Sequence, residues 1–185
     1  MSAGDTAAPA PDSYALVAAD AKPVEAPVLD YAPPMPRDRS TPIGLIGAGG
    51  ISFAHLEAYK KYGLNVVAIA DRHLDRAEGR RDQFFPQAIA TDRVEALIGD
   101  PAIKVLDLTL HPRDRAPLMR RALEAGQHVL SQKPFVHELS VGRELVELAE
   151  ANGLQLAVNQ NGRWAPHLSY MREAVAAGLV GQVTG

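Results

Sequence analysis

The chain has 185 residues, 46% of them hydrophobic, a formal net charge of −3 and no cysteine. That length and apolar content suit one ordinary globular domain plus a tail, and the near-balanced charge excludes the strong positive field of a nucleic-acid or anionic-membrane binder. Without cysteine there are no disulfides, thiolate metal sites or cysteine nucleophiles. With no apolar run of membrane-spanning length and no secretory signal pattern, the expected location is the cytoplasm.

Residues 1–41 differ in kind from the rest, holding Pro9, Pro11, Pro23, Pro27, Pro33, Pro34 and Pro36 among Ala and Asp. Proline at that density makes neither helix nor interior strand, and the apolar residues show no period. Residues 1–26 therefore read as disordered, and Val28 to Arg39 as an extended arm able to lie on the domain. From Pro42 strand and helix patterns alternate. Ile43–Ile46 is a short buried strand ending in glycines, followed by a helix over Ile51–Tyr62 with Gly63 as its stop. Val66–Ala70 is the second strand and Leu74–Phe84 the second helix. Ala88–Ala90 reads as a short strand, Arg93–Ile98 as a helix and Val105–Leu110 as a strong strand. Pro117–Ala125, His128–Ser131, Glu138–Asn152, Leu154–Val158 and His167–Ala177 continue as helix, strand, helix, strand and helix. Arginine pairs such as Arg80-Arg81 and Arg120-Arg121 fall inside helical patterns beside acidic residues, which reads as a solvated helix face. Continuous apolar strands alternating with helices predict a doubly wound α/β fold with a parallel sheet covered on both faces.

The first strand–helix junction is Gly47-Ala48-Gly49-Gly50-Ile51-Ser52. Gly47 permits the tight turn, Gly49 lets a pyrophosphate approach the backbone, and Ser52 stands where a third small residue meets the strand. The helix that follows offers unpaired N–H groups and a positive dipole end to phosphates. Asp71 closes the second strand 24 positions after Gly47, placed to accept from the ribose hydroxyls of NAD and to repel a 2′-phosphate. Arg72 beside it fits the opposite role toward NADP, or a plain surface role, and NAD is the preferred cofactor. Together these features predict a Rossmann-type dinucleotide-binding domain over residues 42–160.

Two later segments extend the pattern. Gly126-Gln127-His128-Val129-Leu130-Ser131-Gln132-Lys133-Pro134 resembles the A-G-K-H-V-x-x-E-K-P segment of the glucose–fructose oxidoreductase / inositol dehydrogenase / MocA family. Val158-Asn159-Gln160-Asn161-Gly162-Arg163-Trp164 resembles its V-N-x-N-x-R-(F/W/Y) motif, and Gly47–Ser52 with His55 its G-x-G-x-I-S-x-x-H. The resemblance spans about residues 42–185. It departs at Gln132, where the family carries Glu, and at Leu110-His111-Pro112-Arg113-Asp114-Arg115, which replaces the Thr, Pro and His of T-P-x-x-x-H.

The resemblance implies an NAD(P)-dependent oxidoreductase that transfers hydride between the nicotinamide and a sugar, polyol or related hydroxyl substrate. Lys133 would bond the substrate hydroxyl beside the nicotinamide ribose, where the Gln132 amide can bond a ribose hydroxyl. Leu110 and His111 end the fourth strand on the cofactor side and contact it through backbone, without the family's side-chain roles. His111 is placed to face the nicotinamide, but a local hydrogen bond to backbone is its expected role. His55 fits either packing or a cofactor-side role. Asn161, Arg163 and Trp164 would face the substrate, although Arg163-Trp164 also fits a hinge. The Lys133–Pro134 bond can be cis in the family. Family members continue into an α/β substrate domain, so residues 161–185 read as a hinge and the start of that domain. The segment by itself is expected to be catalytically incomplete, with homo-oligomers plausible only through the further domain. No nucleic acid, membrane or metal is expected. A free-standing dinucleotide-binding module or redox sensor is the alternative.

Overall fold

The computed structural model describes residues 25–183. Six parallel strands form one sheet in the order β3-β2-β1-β4-β5-β6, with β1 at Pro42–Ile46, β2 at Asn65–Ala70, β3 at Ile89–Thr91, β4 at Val105–Leu108, β5 at His128–Gln132 and β6 at Leu156–Asn159. Five helices connect and follow them: α1 Gly50–Tyr62, α2 Leu74–Phe84, α3 Pro112–Glu124, α4 Leu139–Ala151 and α5 Pro166–Ala176. The order reverses between β1 and β4, and the carboxyl ends of these two strands open the crevice where doubly wound sheets take ligands.

Both faces of the sheet are dry over its central strands β1, β2, β4 and β5, which is why these read as unbroken apolar runs. On one face Ile46, Leu106, Leu108 and Val129 pack under Met119, Ala122 and Leu123 of α3 and Leu145 and Ala149 of α4. On the other, Ile43, Leu45, Val66 and Ile69 pack under Leu56 of α1 and Ala77 and Phe84 of α2. Each leucine so buried contributes about 1.5–3 kcal/mol, enough in sum to order the sheet.

Several boundaries differ from the sequence pattern for local reasons. Helix α3 begins at Pro112, not Pro117: Pro112 occupies the first turn, where no N–H is required, and Pro117 is carried inside the helix. Residues 93–98 make one 3₁₀ turn, Val94–Ala96, in place of a helix. The Thr91 hydroxyl takes the Arg93 N–H at its start and Gly99 at φ 81 ends it, leaving no room for a second turn. Strand β3 starts one residue late because the Ala88 N–H is spent on Phe85 in a turn. Strand β6 starts at Leu156 because the Leu154 N–H still closes α4 by bonding Ala149. A 3₁₀ turn at Asn161–Trp164, absent from the sequence pattern, joins β6 to α5.

The proposed disorder of residues 1–26 falls almost wholly outside the described residues. The arm that follows does lie on the domain. Tyr31 packs edge-on against Tyr170 of α5 with ring centroids 5.7 Å apart, and the Tyr170 hydroxyl donates to Pro27 O at 2.8 Å. Asn65 and Tyr62 hold its far end through Ser40 O and Arg39. No described helix is long and apolar enough to cross a membrane.

Candidate functional site

The β1–α1 loop is built to leave its donors free. Gly47 sits at φ 103, and a Cβ there would come within 2.8 Å of Leu110 Cδ2, so only glycine closes this turn. The Thr109 hydroxyl holds the turn by donating to the carbonyls of Ile46 and Gly47. Gly49 is the N-cap of α1, with no side-chain cap and no acidic residue in the first turn to neutralise the positive end of the helix. A Cβ on Gly49 or Gly50 would meet nothing within 4 Å. The loop thus presents uncapped N–H groups to open space, the arrangement that takes a pyrophosphate.

Ser52 is fully buried and turned inward, its hydroxyl donating to Gly49 O at 2.6 Å. Ile51 is exposed beside it. Arg80 of α2 braces the same loop, donating to Gly49 O and to the Ser52 hydroxyl, both at 3.2 Å. With Arg76, Gln83 and the loop glycines it lines an open hollow of about 600 Å³. Arg80 is thus half-buried against the loop instead of standing on a solvated helix face as its Arg80-Arg81 pairing predicts, and Arg76 lies one turn before it on the same face of α2.

Asp71 lies at the carboxyl end of β2 with only 8% of its surface exposed. One carboxylate oxygen accepts the Ala48 N–H of the loop at 2.7 Å and the other accepts the His73 N–H at 2.9 Å. The residue therefore fastens the glycine loop, a role not legible from its spacing. Arg72 is exposed and unpaired among the described residues.

At the far side of the crevice, β5 ends in Gln132 and leads into Lys133, which is exposed and makes no ion pair among the described residues. The Lys133–Pro134 bond is cis. Gln132 is buried, and its side-chain oxygen accepts the Lys133 backbone N–H at 2.7 Å. His55 is buried as well, its ring held between Asp107 and the amides of Gln132 and Asn159 rather than standing open at the loop. His111 starts α3 at the edge of the crevice. Its ring makes no hydrogen bond among the described residues, in place of the expected local one; its carbonyl accepts the Asp114 and Arg115 N–H groups at 3.0 and 3.1 Å. Leu110 is half-buried against Gly47.

Arg115, which stands where the T-P-x-x-x-H pattern carries its His, is the largest fully buried side chain among the described residues. It donates to Leu110 O at 2.8 Å and to Pro134 O, tying the β4–α3 junction to the loop behind Lys133. Burial with no carboxylate nearby lowers its pKa, yet a guanidinium stays charged. Replacement by Met would leave these carbonyls without donors. Arg115→Met is expected to cost about 3 kcal/mol, a fall of about 10 °C in Tm by calorimetry. An unchanged Tm would show that the clamp is ornamental.

Asn161, Arg163 and Trp164 are exposed in the turn after β6. The guanidinium groups of Arg163 and Arg172 lie 5.6 and 5.9 Å from the Trp164 ring centroid, and the turn is lined by Asp30, Pro33 and Pro34 of the arm. The structure thus brings Gly47–Ser52, Asp71, Leu110, His111, Gln132 and Lys133 to one sheet edge, and sets Arg163 and Trp164 under the arm. Among the described residues no three His, Asp or Glu side chains gather as metal ligands.

Known proteins are similar to this chain in sequence and in fold. An uncharacterised oxidoreductase of Escherichia coli, YdgJ, is 34% identical over 145 residues, 76% of this chain and 40% of that protein. D-apiose dehydrogenase of Paraburkholderia graminis is 28% identical over 138 residues, 74% of this chain and 36% of that protein. A 3-ketoreductase of Actinomadura kijaniata, solved with NADP and TDP-benzene, superposes with a TM-score of 0.69 at 27% identity over 77% of this chain and 44% of its own. An oxidoreductase of Agrobacterium radiobacter, solved with NAD+, L-tartaric acid and magnesium, gives 0.73 at 25% identity over 77% of this chain and 42% of its own. The chain spans 32–40% of the length of the curated relatives it matches. The glycine loop, the strand order and the lysine at the end of β5 all fall in or beside residues 41–160, which match the model described as an oxidoreductase family with an NAD-binding Rossmann fold, and the chain belongs to that Gfo/Idh/MocA family.

Proposed function

We propose that this chain holds a nicotinamide dinucleotide across the carboxyl edge of its sheet, and that the protein carrying it oxidises or reduces a sugar, polyol or related hydroxyl compound. The observation that carries this reading is the uncapped, uncharged start of α1 behind an open Gly49, on the same edge as an exposed Lys133 two strands away. The pyrophosphate rests on Gly47, Gly49, Gly50, Ile51 and Ser52, and the adenosine ribose on Asp71. Leu110, His111 and Gln132 flank the nicotinamide end. When bound, the nicotinamide accepts or supplies the hydride. Lys133 bonds the substrate oxygen and stabilises the negative charge that grows there as the carbon loses hydride. The hydroxyl proton leaves by way of the lysine amine to water.

Asn161, Arg163 and Trp164 stand on the substrate side, at a hinge over 161–185 that leads toward the remaining length found in the relatives. That further length would supply most substrate contacts and the surface for a homo-oligomer, and the cysteine-free chain fits the cytoplasm. The family's oxidoreductase members favour this reading over a binding module without chemistry.

The test is calorimetric titration with NADH and NADPH, followed by a panel of polyols and aldoses offered with each oxidised cofactor while reduced nicotinamide absorbance is followed. Saturable binding by the chain, with turnover of at least one polyol or sugar by the protein that carries it, is expected; saturable binding with no turnover by that protein across the panel would favour the module. On cofactor choice, NAD is expected to bind more tightly than NADP. Asp71→Ser removes a charge-assisted acceptor worth about 1.5–3 kcal/mol, so NAD affinity should fall by about tenfold or more. Part of that loss is shared by NADP, because the Ala48 N–H loses its anchor, but the margin of NAD over NADP should narrow. An unaltered ratio of the two affinities would take Asp71 out of cofactor choice.

A further inference from the structure

A buried polar chain runs beneath the Lys133 backbone, and hydride transfer as described makes no use of it. On β4, Leu106 and Leu108 point into the core under α3 and α4, so strand alternation turns Asp107 to the opposite face, beneath α1. There it is fully buried. Its Oδ2 accepts from the Tyr59 hydroxyl at 2.8 Å and lies 2.7 Å from His55 Nδ1. Both partners come from one helix, four residues apart. Burial, then Asp107 itself, pushes the Tyr59 phenol well above its ordinary range, so Tyr59 stays protonated and donates. A carboxylate in the middle of a parallel sheet costs several kcal/mol unless such donors meet it.

The other ring nitrogen, His55 Nε2, meets two amides: Gln132 Nε2 at 3.0 Å and Asn159 Nδ2 at 2.9 Å. Side-chain amides can be turned end for end, but Gln132 is fixed, because its Oε1 already accepts the Lys133 N–H. Its NH₂ group therefore faces the histidine. Nε2 must accept, and the ring proton sits on Nδ1, aimed at Asp107. The sequence of bonds is continuous: Asp107 takes the ring proton of His55, the ring takes an amide proton of Gln132, and the amide oxygen takes the backbone N–H of Lys133.

We propose that Asp107 and His55 are positioning residues for Lys133, fixing the orientation of the Gln132 amide and through it the backbone at the end of β5. The proposal rests on the reading that Lys133 meets the substrate. It also explains an amide at position 132. With Asp107 on β4 accepting at Nδ1, the group at 132 must donate to Nε2 while accepting the Lys133 N–H, and an amide does both where a carboxylate only accepts.

The chain of bonds can then be inverted. In Asp107→Asn with Gln132→Glu the carboxylate moves to the other side of the ring, the proton moves to Nε2, and Nδ1 accepts from the new Asn. The second oxygen of the new Glu still accepts the Lys133 N–H. The groups facing the ring are Asp107, Tyr59, Gln132 and Asn159: in the inverted arrangement the new Asn amide donates to Nδ1 and to the Tyr59 oxygen, and the Asn159 amide turns end for end to bring its oxygen to Nε2–H.

The experiment is ¹⁵N NMR of the His55 ring, with hydrogen exchange of the Lys133 amide, in the protein at neutral pH. The unmutated protein should carry its ring proton on Nδ1. Asp107→Asn alone should lose that preference and speed Lys133 exchange by about tenfold or more. The double variant should show the proton on Nε2 and restore exchange to within about threefold of the unmutated protein, which simple structural damage would not do. A proton on Nε2 or a doubly protonated ring in the unmutated protein overturns the proposal, and this holds even where Asp107→Asn fails to fold. Lys133 exchange indifferent to Asp107→Asn overturns it as well. Neither readout requires turnover: a lysine dispensable for catalysis would leave the network standing, and a failed network would leave the lysine's role to its own test.

Discussion

Gly49→Val is expected to abolish NADH binding while leaving the fold in place. The two effects separate because of where the glycine stands. A Cβ at this position meets nothing within 4 Å, and the backbone is extended at φ −75 and ψ −164, a conformation open to any residue. Valine there costs the protein only a weaker N-cap, so Tm should move by no more than about 3 °C. The vacant space is, however, the space in front of the α1 N-terminus, where a pyrophosphate must come within hydrogen-bond distance of the backbone. Two methyl groups in that space hold the phosphates off the N–H donors. Loss of two charge-assisted bonds at about 1.5–3 kcal/mol each corresponds to more than about 100-fold in Kd. Calorimetric titration and thermal melting of the same preparation decide it. NADH affinity within threefold of the unmutated protein, at unchanged Tm, would remove the loop from the cofactor site.

Much of this site can be read from the sequence, and the part that can is the part set by local rules. The glycine loop, its preceding strand and its following helix are fixed by spacing within about twenty residues, and Asp71 by its place at the end of β2. Helix α2 falls on Leu74–Phe84 in both sequence pattern and structure. What escapes is whatever depends on contacts far apart in the chain. Asp107 stands out as a charge within the apolar run Val105–Leu110, but its partners His55 and Tyr59 lie 52 and 48 residues before it. Arg115 looks like any helical arginine until the fold wraps the Pro134 loop around it. The spacing of Asp71 places it at the end of β2, while its bond to Ala48 across 23 residues is visible only once β1 and β2 are paired. The arm is the reverse case: composition excludes helix and strand from it, yet says nothing of Tyr170, the residue it packs against.

Lys133→Met is expected to lower kcat by about 1000-fold in the protein that carries this chain, within the range lost when a positioned acid–base group is removed. Methionine preserves the length and apolar stem of the lysine and deletes its charge and its protons. Lys133 is exposed and its backbone, not its amine, is held by Gln132, so the substitution should leave both the fold and the KM for NAD+ within about threefold. That split is what separates a group acting in the transition state from one that merely binds. Lys133→Arg divides the lysine's work further. An arginine restores a positive charge beside the developing alkoxide, but its guanidinium does not release a proton at working pH. If charge alone mattered, arginine would recover most of the activity. If the amine must also pass the hydroxyl proton, Lys133→Arg should remain more than about 100-fold below the unmutated protein. Steady-state kinetics with the polyol or sugar that the panel identifies, at saturating NAD+, distinguish these outcomes, and full turnover by Lys133→Met would show that the reacting hydroxyl is served by another residue.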